Sequence, residues 1–229
     1  MVWQTDLGGL CYRWVSWLLA LTFAPTLFLL FMGQISGLLL LGEAGFLHYG
    51  KKDMPIREGL FAALTAWKPH HLSLFKLVLA LDSLRDQKAR RAVIAGGIVI
   101  GVCSLIPLAW NANVWQNYRA AMKRPPSDTL ETMEEFKHST IGYELRLLIP
   151  GQPFAAMFIP VVIAMVVTVV VWHRRRDDWP WEEKMPWLII ASILVTLYGA
   201  RSFDMVLLLL PLDRMAAWPH GCGVRAFRG

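Results

Sequence analysis

Lys68, Pro69, His70 and His71 stand at the middle of LFAALTAWKPHHLSLFKLVLAL (Leu60 to Leu81), between two runs otherwise fit for hydrocarbon. An ionisable group at membrane depth is costly, which makes it a functional candidate by default. The same test selects Glu43, Lys76, Arg201 and Asp204. Arg grips phosphate through a bidentate fork and Lys offers a compact charge, so Lys68 and Arg201 suit an anion such as a lipid phosphate. Gln34, His70 and His71 are neutral hydrogen-bonding groups of the kind that orient a sugar hydroxyl. Structural alternatives remain open: Lys76 can snorkel, Glu43 can pair within a bundle, and Arg201 and Asp204, three apart, can form a helical ion pair. Neighbouring side chains such as His70 and His71 diverge and no acid sits at ligand spacing, so no metal site is expected. Cys11, Cys103 and Cys222 lie far apart and are given no chemistry. The chain contains no G-x-S-x-G elbow, Walker loop, H-E-x-x-H or dinucleotide fingerprint, so soluble hydrolase, kinase and dehydrogenase readings have no support and no cofactor is implied.

The elements that must position these residues are membrane helices. The 229 residues are 55% hydrophobic and 17% charged, with a mean hydropathy of +0.42, too apolar for a soluble domain of this size. A net charge of +6 could suggest nucleic acid, but Lys and Arg fall in short clusters beside apolar runs, which suits orientation in a bilayer better. The N-terminus lacks the basic region and cleavage site of a removable signal peptide. About 20 apolar residues cross the hydrocarbon layer. By that measure the spans are Trp14 to Met32, Ile35 to Tyr49, Ala92 to Trp110, Phe154 to Trp172 and Pro186 to about Tyr198, with Met205 to Leu212 too short to cross alone. Trp14, Trp110, Trp172 and Trp187 at their ends read as interfacial anchors.

The basic clusters KKDMPIR (Lys51 to Arg57), RDQKARR (Arg85 to Arg91) and HRRRDD (His173 to Asp178) should face the cytoplasm. Two of them flank residues 58–84, so that segment is expected to enter and return as a re-entrant hairpin broken at Pro69; the alternative is one kinked span. Gly33-Gln34, the polar stretch 111–153 and YGARSFD (Tyr198 to Asp204) then converge on the extracytoplasmic side as a candidate site. Within the polar stretch, SDTLETMEEFK opens with a capping arrangement, and one or two short interfacial helices are expected there.

LLFMGQISGLLLLG (Leu29 to Gly42), GLFAALTAWKPHHLSLFKLVLAL (Gly59 to Leu81) and RSFDMVLLLLPL (Arg201 to Leu212) resemble, in order and spacing, the polytopic glycosyltransferases of family 87. HSTIGYELRLL (His138 to Leu148) is similar to that family's outer-loop element, with Ser139 and Arg146 at the matching positions. The resemblance implies an all-α, GT-C-like transmembrane bundle in the plasma membrane. It further implies transfer of a sugar, mannose or a relative, from a polyprenyl-phosphate donor to a glycan or glycolipid acceptor on the outer face. Lys68 and Arg201 would take the donor phosphate, with Gln34, His70, His71, Ser139 and Arg146 lining the sugar and acceptor cavity. The catalytic base is unassigned; Asp204 and Glu43 are the candidates. The family's catalytic Asp lies in an outer loop near the N-terminus, and Asp6 is not given that role. Residues 1–212 therefore read as a partial family domain and 213–229 as an atypical tail. The rival readings are a non-catalytic polyprenyl-phosphate-binding subunit and a small transporter built on broken helices.

Overall fold

The computed structural model describes residues 18, 20–123, 140–151, 154–175, 179–196 and 204–217, and the described residues form helices without a strand. Pro25 opens α1 (Ala24–Met32), so the first expected span is interrupted at Phe23, whose backbone is extended. Gly33 ends α1 in the left-handed region at φ 61, where a side chain would be strained. Its N–H and that of Gln34 satisfy the carbonyls of Leu30 and Leu29. α2 (Ser36–Lys51) follows, then α3 (Pro55–Leu64) and a 3₁₀ turn, Thr65–Trp67. Lys68 leaves helical geometry before Pro69, and α4 (Ser73–Ser83) resumes beyond the break.

Asp86 caps α5 (Gln87–Leu105), its carboxylate accepting from the N–H groups of Lys88 and Ala89. A 3₁₀ turn, Ile106–Ala109, prolongs it. In the polar stretch lie α6 (Val114–Lys123) and α7 (Ile141–Leu148), the latter capped by Thr140; SDTLETMEEFK lies outside the described residues. A 3₁₀ turn (Phe154–Met157) leads into α8 (Phe158–Arg175). α9 (Trp181–Val195) starts earlier than expected and carries Pro186 inside it, whose missing N–H leaves the Glu182 carbonyl without its usual helical donor. A 3₁₀ turn, Asp204–Leu208, runs into α10 (Leu209–Ala217), so helix continues beyond the Leu212 boundary expected from sequence.

Among the described residues two helical stretches, Gln87–Ala109 and Ala155–Arg175, are long and apolar enough to cross a membrane. Both face mostly outward, with Ile98, Ile163 and Val166 about three-fifths exposed, the opposite of a soluble core helix. α2 and α9, at 16 and 15 residues, fall short of the 30 Å layer as single straight helices.

Contacts fix the helix directions. Gly42 faces Leu64 and Thr65, while Gly50 faces Glu58, so α2 and α3 are antiparallel. Gly59 meets Ala92 and Gly96 meets Gly59 and Ala63, so α3 and α5 are parallel along a seam of small residues four apart. The tight turn at residues 84–86 reverses the chain between α4 and α5. α3 and α4 therefore run in opposite directions on either side of Pro69. α9 lies antiparallel to α4, with the Leu74 N–H donating to Ser192 Oγ at one end and Trp181 beside Asp82 at the other. The main core lies among α2, α4, α9 and the 204–210 segment, around Leu39, Phe46, Phe75, Met185, Ile189 and Leu207.

The three basic clusters meet at the Gly50 end of this bundle: Lys88 Nζ lies 3.1 Å from Asp53, and Arg85 sits over the Trp172 ring at 6.0 Å. Trp110 and Trp187 are exposed as anchors would be, but Trp172 is buried, because its Nε1 donates to Asp82 at 2.6 Å. That corrects its reading as an interfacial anchor. A methyl group on Gly59 would lie 2.1 Å from the Ala92 carbonyl oxygen, whereas Gly97 has nothing within 4 Å. Gly59→Ala is expected to destabilise the detergent-solubilised protein by about 1–3 kcal/mol and Gly97→Ala not at all, measured as chemical unfolding midpoints.

Candidate functional site

Four pieces of chain meet at the Ser36 end. α2 begins there after the Gly33 turn, the Pro69 break delivers Lys68, His70 and His71, α9 ends in Thr196, and Asp204 opens the last 3₁₀ turn. Lys68 Nζ lies 2.5 Å from Asp204 Oδ1 and 3.0 Å from Ser36 Oγ, and the Ser36 hydroxyl donates to the same carboxylate oxygen. His71 Nε2 approaches the other oxygen, Oδ2, at 3.2 Å. Asp204 is 2% exposed and His71 2%, while the Lys68 side chain keeps 16%. To donate to Asp204, His71 must carry its proton on Nε2. In the neutral ring Nδ1 is then an acceptor, and Thr196 Oγ1 lies 3.4 Å from it and 3.3 Å from the His70 carbonyl.

This geometry follows from the break. Pro69 ends the helical ladder and exposes its own carbonyl, which Lys76 Nζ caps at 2.9 Å, so the lysine read as a snorkelling residue closes the backbone gap. The first N–H groups of α4 lack helical partners, and Ser192 receives the one on Leu74. The bend lets a lysine and a histidine three residues apart reach opposite oxygens of one carboxylate.

Of the residues expected from sequence, Lys68, His71 and Asp204 are brought together, with the His70 ring tilted at 56° to that of His71, centroids 4.2 Å apart. Gln34 sits half-buried in the turn two residues before Ser36. Arg146 lies on α7, half-buried near Met157, and α7 packs against the 154–157 turn, α8 and α9. Arg201 and Ser139 lie outside the described residues, as does Asp6. Glu43 is fully buried on α2, away from these contacts, and neither of its oxygens has a hydrogen-bond partner among the described residues; Lys76 is the cation acting on it. Among the described residues no cluster of His, Cys, Asp and Glu could hold a metal ion. Ser36 and Thr196 were not singled out from sequence, because the search there favoured ionisable groups. Their signal was a hydroxyl just inside one end of an apolar run.

The arrangement presents an ammonium group on a buried, neutralised carboxylate at one end of an apolar bundle. The family model described as glycosyltransferase family 87 matches residues 1–211. The chain belongs to glycosyltransferase family 87. No curated protein and no solved structure matches it. In this family 87 glycosyltransferase the Lys–Pro break and the Asp that opens the Leu-rich segment are thus parts of one cluster, and the Gly–Gln turn leads into the helix that supplies its Ser36.

Removing one partner of a buried ion pair leaves the other uncompensated and costs about 3–5 kcal/mol, whereas replacing both by apolar groups costs far less. Lys68→Met and Asp204→Leu should each lower the unfolding midpoint sharply, and the double variant should lose less than the sum. Strictly additive losses would show that the two groups act independently.

Proposed function

We propose that the chain transfers a sugar, with mannose the first candidate, from a polyprenyl-phosphate donor to a glycan or glycolipid acceptor on the extracytoplasmic face. The observation that carries this reading is the position of Lys68 at the end of the bundle opposite the three basic clusters. Positive-inside bias gives the clustered end to the cytoplasm and leaves the Lys68 end outside. The helices α3 and α4 then form a hairpin that enters from the cytoplasmic side and returns, within a polytopic GT-C-like bundle. Family membership supplies the reaction class.

In this reading Lys68 and Arg201 hold the donor phosphate and stabilise the charge that develops on it as the glycosidic bond breaks. Asp204 acts as the anchor that positions Lys68 rather than as a base, since both of its oxygens are engaged and it is buried. His71 and Ser36 keep that anchor in place, while Gln34, His70, Ser139 and Arg146 face the sugar and acceptor. Glu43 is shut inside the bundle, so the proton acceptor belongs to residues other than the described carboxylates of this cluster. That same observation favours a second reading, a subunit that binds polyprenyl phosphate without performing transfer.

Membranes containing the chain should transfer radiolabelled mannose from polyprenyl-phosphate mannose and not from a nucleotide-activated mannose. Lys68→Ala should lower the rate by about 10²–10³-fold, the scale of a lost charge-stabilising donor. Lys68→Ala and Arg201→Ala should also weaken retention of a polyprenyl phosphate more than Lys123→Ala does. Donor retention without transfer would select the binding-subunit reading, and equal retention by all three variants would exclude the phosphate roles.

A further inference from the structure

The last turn of α9 offers two fully buried hydroxyls, Ser192 and Thr196, to the Pro69 break. Ser192 Oγ accepts the Leu74 N–H at 3.2 Å and so repairs the α4 end. Thr196 touches the cluster itself. A threonine in a helix commonly turns its hydroxyl back onto a carbonyl of its own helix. Here Oγ1 instead reaches across to the break, 3.4 Å from His71 Nδ1 and 3.3 Å from the His70 carbonyl oxygen.

The hydroxyl has one proton to give, and the His70 carbonyl can only accept. Three states of the His71 ring are therefore open, and the contacts on its far side separate them. With the ring proton on Nδ1 alone, the bare Nε2 would set its lone pair against Asp204 Oδ2 at 3.2 Å. With protons on both nitrogens, the hydroxyl could turn to the His70 carbonyl and accept from Nδ1. Among the described residues, however, Lys68 already neutralises Asp204, so an imidazolium would leave one positive charge in excess inside a site where Asp204 and His71 are each 2% exposed. With the proton on Nε2 alone, both ring nitrogens are satisfied and no charge is added. That state requires the Thr196 hydroxyl to donate to Nδ1.

We propose that Thr196 is a positioning residue for sugar transfer: its hydroxyl donates to Nδ1 of neutral His71 and so holds the Nε2–H on Asp204 Oδ2. Oδ1 is then left to Lys68 and Ser36. A hydrogen bond on Oδ2 draws carboxylate charge away from Oδ1, and Lys68 keeps more of its own charge for an incoming phosphate. The consequence for phosphate rests on the donor-phosphate role of Lys68, whereas the state of the ring does not.

The test uses the full chain, labelled with ¹⁵N in its histidine rings and reconstituted in nanodiscs. NMR reads the protonation of His71 at neutral pH, its signals being assigned by their loss in His71→Gln. The expected ring is neutral, with the proton on Nε2 and a hydrogen-bonded Nδ1; a proton on Nδ1 alone, or on both nitrogens, would overturn the proposal. In Thr196→Val, close in shape but without the hydroxyl, the Nδ1 signal should move to its unbonded position. Retention of polyprenyl phosphate should fall about three- to tenfold, the scale of one buried hydrogen bond. Thr196→Ser should restore both, and Thr168→Val, which removes a buried hydroxyl from α8, should change neither. An unmoved Nδ1 signal in Thr196→Val would refute the contact, and a moved signal with full retention would refute the positioning role. If the unsubstituted chain retains no polyprenyl phosphate, the donor-phosphate reading and the positioning role fall together, while the ring signals still decide the contact.

Discussion

A carboxylate enclosed by hydrocarbon has to be neutralised where it stands, and the arrangement of this molecule follows from how that is done for Asp204. The cost of removing an unpaired ion from water is several kcal/mol even after relaxation. Lys68, Ser36 and His71 bring hydrogen bonds and opposite charge to both oxygens from two other chain segments. None of the four residues is near another in sequence except Lys68 and His71. The contact therefore joins the start of α2, the Pro69 break and the segment after α9 into one unit.

The break makes the contact possible. In an unbroken helix Lys68 and His71 would project from one face at a fixed spacing. With Pro69 between them, backbone freed from the helical ladder lets the two side chains approach one carboxylate from different directions. The freed backbone groups are in turn satisfied by Lys76 and Ser192, as irregular backbone in an apolar setting requires. Polar residues around the break thus divide into those that hold Asp204 and those that repair the helix ends.

Much of this was legible in the sequence, and what was not has a physical reason. Pro69 between apolar runs identified the break in the helix, because proline's effect on backbone is local and strong. Gly33 identified the α1 end for the same reason. Lys68 and Asp204 were each recognisable as costly ionisable groups, but their pairing was not, since 136 residues separate them and Arg201 offered Asp204 a nearer partner. Trp172 shows the opposite failure: its place at a span end suggested a headgroup anchor, while a carboxylate on another helix drew it inward. The first span was overread because its apolar run continues through the extended backbone at Phe23, so α1 is shorter than the run that contains it, while α9 begins five residues before its run. A cavity beside Gly50 had no local signature, because its walls come from α2, α3, α4, α5, the start of α9 and the two residues before it.

The close seam between α3 and α5 bears on how Lys68 is held in depth. At Gly59 and Ala92 the two backbones approach so nearly that sliding one helix along the other by a residue would put a side chain into a carbonyl. α5 belongs to a helical stretch of membrane length, whereas α3 is ten residues long and has no such length of its own. The long helix therefore acts as a depth gauge for the short one. The height of the ammonium above the opposite face is set by a notch in two backbones, and a bilayer that thins or thickens around the protein leaves it unchanged.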